Sequence, residues 1–136
     1  MKPANDQQTR QFAIDCARHA ANTRCHNVVC LDVRGISPVT DYMVLATGTS
    51  PRQMRTVCDE LAEMAEQRGE HALGTDGIEG DASSGESTGG GWMLIDFVDV
   101  VVHVFSQDAR AFYDLDSLWG DAKKVEVPLQ PGGAGT

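Results

Sequence analysis

Apolar positions along the chain follow two periods. From Asp6 to about Asn22, Phe12, Ile14, Cys16, Ala17, Ala20 and Ala21 stand among good helix formers, a modest stripe that predicts an amphipathic helix. Asn27 to Val33 is a short aliphatic run closed by Arg34-Gly35 and Ser37-Pro38, and Asp41 to Thr47 is a second; both read as buried strands. At Ser50-Pro51-Arg52-Gln53 the helical period returns. Ser50 can accept from an amide of the first turn, Pro51 is tolerated where no donor is needed, and Gln53 stands three residues past the cap. Met54, Val57, Cys58, Leu61, Met64 and Ala65 then recur at helical spacing with Glu60, Glu63 and Glu66 outside the stripe, and Gly69 predicts the stop.

The remaining third is less regular. Ser83 to Gly91 holds no apolar side chain, so a flexible loop inside one domain is expected, since too little chain follows to fold alone. Trp92 to Ile95 and Val100 to Phe105 flank Asp96-Phe97-Val98-Asp99 at hairpin spacing, and the sheet is expected to end with them. A two-residue loop at Val98-Asp99 pairs Leu94 with His103 and Trp92 with Phe105, putting Trp92, Asp96 and His103 on one face. A three-residue loop reverses the face. Asp108 to Trp119 carries Phe112, Tyr113, Leu115, Leu118 and Trp119 at mixed helical spacing, and the Pro/Gly-rich Pro128 to Thr136 reads as a disordered tail. The expectation is one α/β domain over residues 1–127, a mixed sheet flanked by helices.

Composition narrows the class. In 136 residues, 41% hydrophobic and 23% charged side chains describe a globular chain, and no apolar run approaches the roughly 18 residues of a membrane span. Asn5, Asp6, Gln7 and Gln8 stand where a secretion signal would be apolar, so a cytoplasmic location is expected. Net charge is −9, which disfavours a sequence-independent grip on nucleic acid phosphates. The imbalance is local: residues 76–121 hold ten acidic groups against one basic group, Arg110, whereas residues 1–40 hold five basic and three acidic. A concentrated negative segment suits a basic protein as partner, and it also serves simply as a solvated surface.

Cys16, Cys25, Cys30 and Cys58 contain no C-x-x-C pair, so reduced thiols are expected, and a zinc site from Cys16, His19, Cys25, His26 and Cys30 lacks the two close pairs such modules present. Gly48-Thr49-Ser50 opens a helix and could hold phosphate on free amides, yet no Lys stands between Lys2 and Lys123 to complete a phosphate-binding loop. This turn supports an alternative reading as a phosphate- or nucleotide-handling transferase. Asp96 and Asp99, three residues apart, do not share a strand face as a metal-binding carboxylate pair would need. His103 inside a Val-rich strand has no Ser or Cys at a telling spacing. What remains is surface. Trp92, His103, Phe105, Phe112, Tyr113, Leu115, Leu118 and Trp119 lie among most of the acids, the composition of a protein-binding patch as well as of a core. Trp92, following a glycine run without an aromatic beside it in sequence, is expected to be exposed and to anchor a partner without supporting the fold.

Several blocks together resemble the ribosomal silencing factor family, also called Iojap-like. They are Val29-Cys30-Leu31-Asp32-Val33-Arg34-Gly35, Thr40-Asp41-Tyr42-Met43-Val44, Ala46-Thr47-Gly48-Thr49-Ser50-Pro51-Arg52-Gln53, Glu79-Gly80, Trp92-Met93-Leu94-Ile95-Asp96, Asp99-Val100-Val101-Val102-His103-Val104-Phe105 and Arg110-Ala111-Phe112-Tyr113-Asp114-Leu115-Asp116-Ser117-Leu118-Trp119. The resemblance runs from about Asn27 to Val125. It implies an α/β domain related in fold to nucleotidyltransferases without their catalytic carboxylates, no enzymatic reaction and no cofactor. It also implies binding to ribosomal protein fourteen of the large ribosomal subunit, a block to subunit joining that lowers translation, and a homodimer off the ribosome. Positions matching the family's binding surface are Glu79, Trp92, Asp96, His103, Arg110, Tyr113, Asp114, Leu115 and Trp119. Val98 stands where the family usually has a hairpin glycine, Asp116 replaces a usual Glu, and the loop between Gly80 and Trp92 is longer than usual.

Overall fold

The computed structural model describes residues 6–70, 74–78, 91–113, 117 and 120–128, and the structural statements below concern these residues. In chain order the elements are α1 (Asp6–Asn22), β1 (His26–Asp32), β2 (Tyr42–Thr47), α2 (Pro51–Gln67), β3 (Gly74–Ile78), β4 (Trp92–Asp96), β5 (Val100–Phe105), α3 (Gln107–Tyr113) and β6 (Lys123–Val125). The six strands form one sheet in the order β3-β4-β5-β2-β1-β6. Only β2 and β5 run parallel; every other pair is antiparallel. The α/β class expected from the chain's periods is the observed one.

Strand parity sorts the core into two layers. Tyr42, Val44 and Ala46 of β2, Val100, Val102 and Val104 of β5 and Met93 and Ile95 of β4 face α1 and α2, where Phe12, Ala17, Met54, Val57 and Leu61 complete the larger cluster. The opposite face is smaller: Leu31, Val33, Met43, Leu45, Phe105 and Ala109, with Val29, Trp92 and Ala122 packed at its margin. A sheet buried on both faces needs strands that are apolar at every position, and β2 has all six residues buried.

The second helix is closed at both ends as its sequence predicts. Ser50 Oγ accepts from the Gln53 amide at 3.1 Å, while Gln53 Oε1 accepts from the Thr49 amide at 2.9 Å. The reciprocal bond therefore reaches one residue further back than in the usual capping box. Gln53 Nε2 also donates to the Thr23 carbonyl, tying this turn to the end of α1. At the far end Gly69 adopts φ +80°, and the Gly69 and Glu70 amides return to the Glu66 and Ala65 carbonyls, a Schellman closure.

Two strands depart from the expectation that the sheet ends with the hairpin. β6 adds an edge beside β1, pairing Cys30 with Val125, and β3 adds the opposite edge beside β4, pairing Ile78 with Trp92. Neither has a local signal: β3 reads Gly-Thr-Asp-Gly-Ile and β6 spans three residues, so both owe their conformation to a partner strand. The last helix is described over Gln107–Tyr113, Ser117 is again helical, and the rest of the expected span to Trp119 lies outside the described residues. Ser106 caps the helix, with its Oγ accepting from the Ala109 amide. The loop expected at 83–91 lies outside the described residues except for Gly91, and the tail beyond Pro128 lies outside them too. The Pro128 carbonyl itself accepts from Arg18 Nε.

The hairpin takes the two-residue loop. Asp96 pairs with Val101, Leu94 with His103 and Trp92 with Phe105. Val98 sits at φ +79°, a region that a β-branched side chain resists, and the Asp99 amide closes back on the Phe97 carbonyl across it. Three hydrogen bonds hold this conformation: Asp96 Oδ1 accepts from the Val98 amide, and the Asp99 carbonyl accepts from the amides of Asp41 and Tyr42. Since Val98 is half exposed and adds little to the core, Val98→Gly is expected to raise folding stability by about 1 kcal/mol. A urea midpoint that moves upward with an unchanged slope is the check.

Candidate functional site

The hairpin projects Trp92, Leu94 and Asp96 from β4 and Val101, His103 and Phe105 from β5 onto the face opposite α1 and α2. Along β4 burial alternates. Met93 and Ile95 are buried beneath α2, whereas Trp92, Leu94 and Asp96 on the other side are only partly covered. Val101 is likewise intermediate, so the β4–β5 end of this face is thinly covered. Leu94 and Val101 did not stand out as site residues in the sequence; strand alternation through Trp92 and His103 is the signal that places them here.

Trp92 is not the isolated anchor its sequence neighbours suggest. Its ring centroid lies 5.2 Å from that of Phe105 and 5.6 Å from that of His103, aromatics brought beside it by cross-strand register. Its Nε1–H donates to His103 Nδ1 at 3.0 Å. The His103 ring stacks on Phe105, with centroids 5.8 Å apart and planes within 2°. Burial then sets the charge state: His103 is 8% exposed, and loss of solvent lowers its pKa from 6.5 to about 4. The imidazole is neutral at physiological pH.

The other expected site residues separate into distinct roles. Asp96 holds the hairpin turn through Oδ1 while its side chain borders the open face. Arg110 points inward: one guanidinium nitrogen donates to the Asn27 carbonyl at 2.7 Å and to Thr47 Oγ1 at 2.9 Å, and the residue is buried. It fastens α3 to the bulged start of β1 and to the end of β2. Tyr113 is the last residue of α3, and Glu79, Asp114, Leu115 and Trp119 lie outside the described residues.

An open cleft of about 720 Å³ lies where β2 and β5 both end, bordered by His26, Thr47, Gly48, Ser50, Ser106 and Asp108 among others. The carboxyl end of a parallel pair is a common ligand position, and the Gly48-Thr49-Ser50 turn opens here. Several of its amides are already engaged. Gly48 N–H bonds the Phe105 carbonyl, Thr49 N–H bonds Gln53 Oε1, and Ser50 Oγ occupies the cap. Gly48 answers a packing need, since a Cβ there would lie 2.2 Å from Met54 Cγ. The turn is thus a side-chain cap that takes up the Thr49 and Gln53 amides.

Among the described residues no three metal-ligating side chains converge. All four cysteines are buried, and burial pushes the Cys30 and Cys58 thiols up to about 12, far from reactive thiolate. His19 is bonded to Glu60, bridging α1 and α2.

Two outcomes follow from the aromatic cluster. Trp92→Ala removes packing on two rings and leaves His103 Nδ1 without its donor, so unfolding free energy should fall by roughly 2–3 kcal/mol in denaturant titration. Because folding holds His103 neutral, the unfolded chain takes up its proton first as pH falls. The His103 contribution to stability is full well above pH 6.5 and is lost as pH falls toward about 4, on the order of 3 kcal/mol. Urea titrations across that range should show this slope in the native protein and lose it in His103→Gln.

Comparison with known proteins agrees with this architecture. The family described as ribosomal silencing factor during starvation matches residues 6–134. The chain is 34% identical over 123 residues to the ribosomal silencing factor RsfS of Halalkalibacterium halodurans, spanning 90% of this chain and 95% of that protein. It is 35% identical over 104 residues to RsfS of Bacillus subtilis, spanning 76% of this chain and 80% of that one. A crystal structure of a Bacillus halodurans protein superposes with a TM-score of 0.66 at 32% identity, covering 88% of this chain and 98% of the other. With nearly its whole length matched in sequence and in fold, the chain belongs to the ribosomal silencing factor family.

Proposed function

We propose that this protein acts by occupancy: it binds the large ribosomal subunit through ribosomal protein fourteen, blocks joining of the small subunit and so represses translation, in the cytoplasm and without catalysing a reaction. The observation that carries the reading is the thinly covered β4–β5 face, where Trp92, Leu94 and Val101 supply apolar area beside Asp96. An apolar centre with a charged rim is the anatomy of a protein interface. The negative charge concentrated over residues 76–121 speeds encounter with a basic surface, as expected of a protein seated on ribosomal RNA. Trp92, Asp96 and His103 form the described part of the contact surface, with Arg110 supporting it from behind. Glu79, Tyr113, Asp114, Leu115 and Trp119 are assigned to its continuation on the family resemblance. Off the ribosome the same apolar area serves as a homodimer surface.

Purified protein should pellet with isolated large subunits, leave small subunits unbound and reduce formation of joined ribosomes when both are mixed. Pelleting with neither subunit, or equally with both, would overturn the reading. Trp92→Ala should weaken large-subunit binding about thirtyfold among molecules that remain folded, since truncating a central aromatic commonly costs about 2 kcal/mol. Light scattering should give a dimer mass at high concentration in the absence of ribosomes.

A further inference from the structure

The hydrogen bond between Trp92 and His103 has only one possible polarity. Indole Nε1 is a donor and never an acceptor, so His103 Nδ1 must accept, and the single hydrogen of the neutral ring sits on Nε2. Stacking on Phe105 fixes the plane in which Nε2 points. Among the described residues no acceptor is bonded to Nε2, although none of their buried side-chain polar atoms goes unpaired. The ring belongs to the sheet face that neither α1 nor α2 covers, between Leu94 across the hairpin and Leu45 across the parallel pair.

On the reading that this face docks on a ribosomal protein, we infer that His103 Nε2–H is the hydrogen-bond donor it offers to an uncharged oxygen, a main-chain carbonyl or side-chain amide, of that protein, and that Trp92 is the residue positioning it. An uncharged acceptor follows from the surroundings. A carboxylate would meet Asp96 and the acidic segment around it, and it would gain no ion pair because this ring stays neutral to about pH 4. The arrangement also gives selectivity: a tautomer locked as donor rejects a lysine or arginine at this point of the interface, whereas nearby carboxylates accept one.

Nitrogen-15 NMR of the imidazole in the free protein tests the first half. His103 should show a protonated Nε2 and an unprotonated Nδ1 at neutral pH, and Trp92→Phe, which keeps an aromatic ring but removes the donor, should release a mixture of the two tautomers. A native ring protonated on Nδ1 would overturn the assignment. Sedimentation with large subunits tests the second half. His103→Phe preserves the stack on Phe105 but removes the donor and should weaken binding by about tenfold, while His103→Gln, whose amide again offers one, should recover most of the loss. Circular dichroism on each variant separates folding from binding. Unchanged affinity of folded His103→Phe would overturn the donor role and leave the docking reading standing; absence of large-subunit binding by the native protein would overturn both.

Discussion

Strand β2 is buried at every position, and the rest of the fold is arranged to keep it so. It lies at the middle of the sheet, parallel to β5 on one side and antiparallel to β1 on the other. A parallel neighbour cannot be reached by a tight turn, so the chain must cross over, and α2 together with the β3–β4 edge is what that crossover contains. The crossover puts α2 beside α1 on one face. On the other face, among the described residues, Ala109 of α3 and Ala122 pack against the sheet. Among the described residues the β4–β5 part of that face is only partly covered.

Aromatic and polar chemistry then concentrate where cover is thin. His103 would be costly to bury charged, and the Trp92 donor gives it a reason to stay neutral. Phe105 supports both rings from inside. Arg110 works at the far end of the same face, where carbonyl and hydroxyl oxygens of β1 and β2 take its donors. Residues that a family resemblance places on one binding surface thus split physically: some border solvent, while Arg110 holds the scaffold from within. At the helix start weighed for phosphate, Gln53 and Ser50 side chains already take the Thr49 and Gln53 amides.

Much of the architecture is legible in the chain because the relevant signals are local. The Ser50 cap, Pro51, the apolar stripe from Met54 to Ala65 and the stop at Gly69 act within a few residues of one another, and α2 runs from Pro51 to Gln67 as they dictate. Short continuous apolar runs bounded by turn residues marked β1, β2, β4 and β5. β3 and β6 carry no such marks, since two glycines and an acid in one and two lysines in the other become strand only when a neighbour's unpaired amides and carbonyls are beside them.

The family, the α/β class, the hairpin and the side chains able to share its face were determined by the sequence itself. Which loop the hairpin uses, and so which face His103 takes, was decided by tertiary structure. Val98 by local preference opposes positive φ, and the bonds from Asp96 and from Asp41 and Tyr42 to the turn outweigh that preference. The surroundings of Trp92 were decided in the same way. Its partners stand 11 and 13 positions away in sequence, and only cross-strand register brings an acceptor and a stacking surface to an indole that has neither nearby in the chain.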